Sequence, residues 1–182
     1  ENTLNLGLQA GLVGLIIVSI FLLLYYRLSG LIAIVGLASF GALFYSVISL
    51  LGEWRGYTLT LAGIAGVIVS IGLTADSYIV IFEKLKDELK IGRSFKFATE
   101  KAVKEAWNTI LVADFVSIIA AIILYLLAVG PIRGFALTLG LATVFDLFYT
   151  RMFISTAVPA VGSLTDNPRL YFPLNRNDID DV

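Results

Sequence analysis

The chain has 182 residues, 58% of them hydrophobic, with 13 basic against 14 acidic side chains. That apolar share exceeds the roughly 45–50% of a soluble domain, and the even charge leaves no basic surface suited to nucleic acid. Cysteine and histidine are both absent, which excludes disulfides, zinc sites, thiol nucleophiles and imidazole bases. Proton chemistry is left to Asp, Glu, Lys, Arg or Tyr.

A membrane-crossing helix needs about 20 mostly apolar residues, and backbone in lipid must satisfy its own hydrogen bonds. On that basis residues 1–160 are predicted to form an all-α membrane domain. It is a bundle of five transmembrane helices plus a cytoplasmic interfacial amphipathic helix. The first span covers 8–26 and is uncharged. Tyr26-Arg27-Leu28-Ser29 forms a tight turn, and the second span covers 30–51, again uncharged. The next connection places Trp54 and Tyr57 at headgroup level. The third span, 59–82, contains Asp76.

Residues 83–108 carry Lys84, Lys86, Lys90, Arg93, Lys96, Lys101 and Lys104. Phe95, Ala98, Ala102 and Ala106 recur there at three- and four-residue steps, one face of a helix lying at the interface. Gly92 separates it from the third span. The fourth span, 109–129, contains Asp114; Gly130-Pro131-Ile132-Arg133 is a second tight turn. The fifth span, 134–158, contains Asp146 and Arg151, and Pro159 is expected to end it. Residues 161–182 read as a polar cytoplasmic tail.

Basic residues mark the cytoplasmic side. The Arg27 turn and the Lys-rich connection then lie inside, and the Trp54 and Pro131 turns outside. The N-terminus is external and the C-terminus cytoplasmic. This topology predicts at least one further helix, and an external domain, before Glu1.

A carboxylate at mid-bilayer costs at least ~2.5–3.5 kcal/mol, so each is a candidate functional group. From the helical rise, Asp76 and Asp114 lie roughly 8–9 Å and Asp146 roughly 12 Å from the cytoplasmic side. Arg151 lies roughly 7–8 Å further inward than Asp146. The expectation is a layer of three carboxylates above one arginine, Asp76, Asp114, Asp146 and Arg151, forming a proton relay. The alternative is that the aspartates hydrogen-bond neighbouring helices and Arg151 snorkels to the headgroups. Ala62, Gly66, Ser70 and Thr74 form one small-residue stripe, and Ala65, Val69, Gly72 and Asp76 the adjacent one. Gly66, Gly72, Ser70 and Thr74 are thereby placed at a tight helix contact around the relay. Gly7 and Gly11 make a further GxxxG pair.

Three motifs carry a family resemblance. One is Gly63-Ile64-Ala65-Gly66 followed by Gly72-Leu73-Thr74-Ala75-Asp76 and Phe82-Glu83-Lys84. The second is Gly130-Pro131-Ile132-Arg133-Gly134-Phe135-Ala136-Leu137-Thr138-Leu139, and the third Tyr25-Tyr26-Arg27 with Gly30. In this order and spacing they resemble the SecD/SecF family of the RND transporter superfamily. The resemblance implies a multi-pass subunit of the bacterial inner membrane that uses the proton motive force to assist protein export. It implies SecF, the SecYEG channel, membrane lipid and exported polypeptide as partners. No cofactor beyond protons and no enzymatic reaction is implied, and Asp76 becomes the key protonatable residue. Where many relatives have Asp-Ala-Asn, this chain reads Val112-Ala113-Asp114, and Asp146 stands where a small polar residue is common. Those departures imply a differently arranged relay. Two rival readings remain: an RND-type exporter of small molecules or lipids, and a structural membrane subunit without proton coupling.

Overall fold

The computed structural model describes residues 2–55 and 60–162. Tyr57 and nearly all of the expected tail at 161–182 lie outside the described residues. Among the described residues every element is helical: α1 Asn2–Arg55, α2 Leu61–Lys90, α3 Phe95–Leu127 and α4 Pro131–Gly162. All four are long and apolar enough to cross a membrane.

Five separate helices are not assigned, because α1 takes in both of the first two expected spans. Its 54 residues would reach roughly 80 Å as a straight rod, well over twice a ~30 Å hydrocarbon core. It is not straight. Arg27 has φ 46° and ψ −116°, a left-handed conformation that breaks the helix. Beyond it, a side chain at Gly30 would collide with the carbonyl of Leu22. Residues eight apart in a straight helix are separated by about 12 Å, so the chain folds back on itself at Arg27. Glycine at position 30 is what lets the two strokes meet.

The separate amphipathic helix is also not found. The stretch divides at Gly92, φ 80°, but the charged residues on either side join the neighbouring spans. Residues 83–90 are the last turns of α2, and 95–108 the first turns of α3. No glycine or proline interrupts Phe95–Leu127, so nothing stops the helix at the polar-to-apolar change. The 30 residues of α2 and 33 of α3 span roughly 45–50 Å, so their charged ends extend past the hydrocarbon.

Thr60 caps α2, its hydroxyl accepting from Gly63 N–H at 3.1 Å. Gly130, φ 64°, makes the turn into α4. That helix does not stop at Pro159; it continues to Gly162, since so near the end the proline disturbs only the final turn. α2, α3 and α4 pack mutually, with the second stroke of α1 against α2 and α4. The first stroke buries Leu22 and Tyr26 but exposes Leu12, Ile16, Ile17 and Leu24, a lipid-facing composition. Its Gly7 and Gly11 lie against Leu61 and Ile68 of α2.

Candidate functional site

Each helical residue turns the chain by about 100°, so side chains two apart point almost oppositely. α2 uses this to separate two polar faces. Ser70, Thr74 and Ser77 are buried among the helices, whereas Ala65, Val69, Gly72 and Asp76 form an exposed stripe. Thr74 and Asp76 are therefore on opposite sides of one helix. The structure does not bring the three carboxylates together: Asp76 faces away from Asp114 and Asp146.

Asp114 of α3 and Asp146 of α4 point into the interior, 4% and 2% exposed. They lie within electrostatic reach of each other. Thr150, one turn along α4, donates to Asp146 Oδ1 at 2.8 Å, and the Thr74 hydroxyl lies beside the same carboxylate. The second oxygen, Oδ2, of each aspartate is buried without a hydrogen-bond partner. So is the hydroxyl of Tyr78, which is wholly buried on α2 next to Thr150 and Asp146. Such orphaned groups are rare in native interiors because each forfeits its hydration.

The surrounding wall is aromatic. Phe40, Phe145, Tyr149, Phe153 and Tyr78 form a continuous run of ring contacts joining the second stroke of α1 to α4 and α2. Tyr149 donates to the Gly36 carbonyl at 3.0 Å and pairs with the Ser39 hydroxyl. A side chain at Gly36 would come within 2.7 Å of Tyr78 Oη, so glycine there admits the tyrosine.

Arg151 does not reach back to either carboxylate. It is exposed and lies over the Trp107 ring of α3, 4.8 Å from guanidinium to centroid. No lysine or arginine among the described residues forms an ion pair with Asp114 or Asp146. The predicted packing residues also divide. Gly66 meets α4 so closely that a methyl would overlap Thr138 and lie 3.0 Å from the Phe135 carbonyl; Gly72 has no neighbour within 4 Å. Ser70 and Thr74 use their hydroxyls on backbone carbonyls of their own helix, Val67 and Ser70.

Tyr78, Thr150, Tyr149 and Ser39 were not signalled by the sequence reading. The available signal was spacing: Thr74 with Tyr78, and Asp146 with Thr150, are four apart and share a helix face.

Two motifs meet at the charged end of the bundle. Tyr26 donates to Glu83 Oε1 at 2.9 Å, and Lys86 stands over the Tyr25 ring. Beyond them Glu88, 5% exposed, receives Lys101 Nζ at 2.9 Å on one oxygen and Arg93 on the other. This network closes the Gly92 turn between α2 and α3. The Lys101 hydrogen bond, opposed by desolvation and aided by the Arg93 charge, holds the Glu88 carboxyl below the usual carboxylate range.

The sequence profile described as protein export membrane protein SecD/SecF, C-terminal, matches residues 2–162. The chain belongs to the SecD/SecF family. Among SecD relatives, the protein translocase subunit SecD of Mycobacterium tuberculosis is 46% identical over 146 residues, 80% of this chain and 26% of that protein. The Streptomyces coelicolor subunit of the same name is 45% identical over 150 residues, 82% and 26% of the two chains. The crystal structure of SecDF, a translocon-associated membrane protein from Thermus thermophilus, superposes with a TM-score of 0.82 at 30% identity. That match covers 88% of this chain and 22% of the SecDF chain. The SecD/SecF membrane fold is thus present, over about a quarter of its relatives' length.

Proposed function

We propose that this chain is the membrane-embedded part of a SecD-type subunit that couples inward proton movement to polypeptide export. The observation that carries the reading is the pairing of two polar faces on α2. One side adjoins a buried carboxylate pair; the other presents Asp76 beside Gly72 on an uncovered small-residue stripe. A carboxylate left against acyl chains is expensive, so the exposed stripe supports a second membrane unit, SecF, packing over it. α2 then lies between two ionisable sites, and repacking it would alter both.

In this reading the two strokes of α1 are separate crossings, giving five in all. The foot of α3 lies at the cytoplasmic interface of the bacterial inner membrane, with the N-terminal end of this chain outside and residues 161–182 inside. SecF and the SecYEG channel are the partners, and exported polypeptide is the substrate. Protons enter at Asp76 and leave past Asp114 and Asp146, with Arg151 on the inward side. The translocase names of the relatives support this over a small-molecule or lipid exporter.

The test is Asp76→Asn in the full subunit with its partners. Proton-dependent export should be lost while the complex still assembles. Export that keeps its proton dependence in that variant ends the motor reading. A purely structural role for the aspartates predicts lower stability with proton flux unchanged.

A further inference from the structure

The interior carboxylates have a feature that helix gluing leaves unexplained. Three buried oxygens from three helices lack partners: Asp114 Oδ2 on α3, Asp146 Oδ2 on α4 and Tyr78 Oη on α2. A structural aspartate spends its oxygens on neighbours, as Asp146 Oδ1 does on Thr150. The remaining oxygens are buried but unused.

We propose that Asp114 and Asp146 form a proton-binding site enclosed within this chain, distinct from Asp76 and occupied by one exchangeable proton. It deepens the proton-coupling reading above, but stands on the geometry of the interior alone. A proton from water adds to one Oδ2, and the pair then carries one negative charge instead of two. The acid so formed becomes a donor, and the Tyr78 hydroxyl stands nearby as a further buried polar group without a partner of its own.

The groups around the pair come from each packed element. α2 contributes Thr74 and Tyr78. α4 contributes Thr150 and, farther along the aromatic wall, Tyr149. α1 contributes no ionisable side chain among the described residues; its Ser39 and the Gly36 carbonyl engage Tyr149. Asp76 lies across α2, and Arg151 is held over Trp107. Among the described residues no cation offsets two charges, so a proton is the smallest species that does so.

The experiment is infrared difference spectroscopy across a pH titration of the full-length subunit in membranes, with carbon-13 aspartate identifying the acid carbonyl band. The expected band titrates, disappears in Asp114→Asn and in Asp146→Asn, and persists in Asp76→Asn. Tyr78→Phe, which keeps the ring and removes one hydroxyl, should keep the band and displace its midpoint. A titrating band insensitive to Asp114→Asn and Asp146→Asn overturns the site, as does no band at all. A midpoint that moves with Na+ at fixed ionic strength also overturns it, because the occupant is then a metal cation. Loss of export in Asp76→Asn with the interior band intact separates this site from the external one.

Discussion

Gly66 and Gly72 lie on the same helix less than two turns apart, yet substitution by alanine should act oppositely. At Gly66 the new methyl overlaps Thr138 Oγ1 and sits 3.0 Å from the Phe135 carbonyl and 3.2 Å from Thr138 Cβ. Thr138 cannot swing aside, because its side chain is fully buried and its hydroxyl donates to the Gly134 and Phe135 carbonyls, each at 3.0 Å. α2 and α4 must separate. Overpacking of this kind costs about 1–3 kcal/mol. At about 2–4 °C per kcal/mol for a chain of this length, the unfolding midpoint falls by about 2–12 °C. Gly72→Ala meets nothing within 4 Å and should gain about 0.5–1 kcal/mol from reduced backbone freedom. The assay is thermal unfolding in detergent, with the membrane domain measured alone and together with the SecF partner proposed above. Alone, Gly66→Ala should be destabilised and Gly72→Ala not. If SecF packs over this face as proposed, Gly72→Ala should lose its advantage with SecF present. Equal destabilisation of both variants in the isolated domain refutes the assignment of inner and outer faces.

Tyr26→Phe removes the hydrogen bond to Glu83 but keeps the ring against Phe82, centroids 5.8 Å apart. A loss of about 1–2 kcal/mol is expected, read from the same thermal assay. Glu88 gives a pH signature. Its folded-state carboxyl is held below the ordinary value of 4.5, so the clasp's contribution is complete above that value and is lost as pH falls through the lower folded-state value. Protection factors at the Gly92 turn should therefore fall on acidification below about pH 4.5, and Glu88→Gln should show low protection at neutral pH with that acid step removed.

The spans were legible because lipid imposes one coarse rule, about 20 apolar residues in a helix. The turn at Arg27 and the break at Gly92 were legible as well, as interruptions of that rule. The charged feet of α2 and α3 were misread because hydropathy records where lipid ends, not where a helix ends. Lys, Glu and Ala continue a helix through water as readily as Leu does through lipid. At the site, rise along the axis gave depth but not rotation relative to the bundle. Asp76, Asp114 and Asp146 have similar estimated depths, and only packing decides which face α2 turns inward. Both of its stripes are rich in small residues, so composition could not separate the packed Gly66 face from the open Gly72 face. Arg151 was likewise placed by depth alone, and its guanidinium turns to the Trp107 ring rather than to either carboxylate.

The unbroken course of α3 makes it a lever. Asp114 rides on the same rigid rod as Lys101, which grips Glu88 at the foot of α2. Asp114 lies near the rod's middle and Lys101 roughly 20 Å away toward its foot, so a tilt about the aspartate swings Lys101. A displacement of α3 near the aspartate is therefore felt at the charged foot of the bundle, where the Glu88 grip must either drag α2 along or let go.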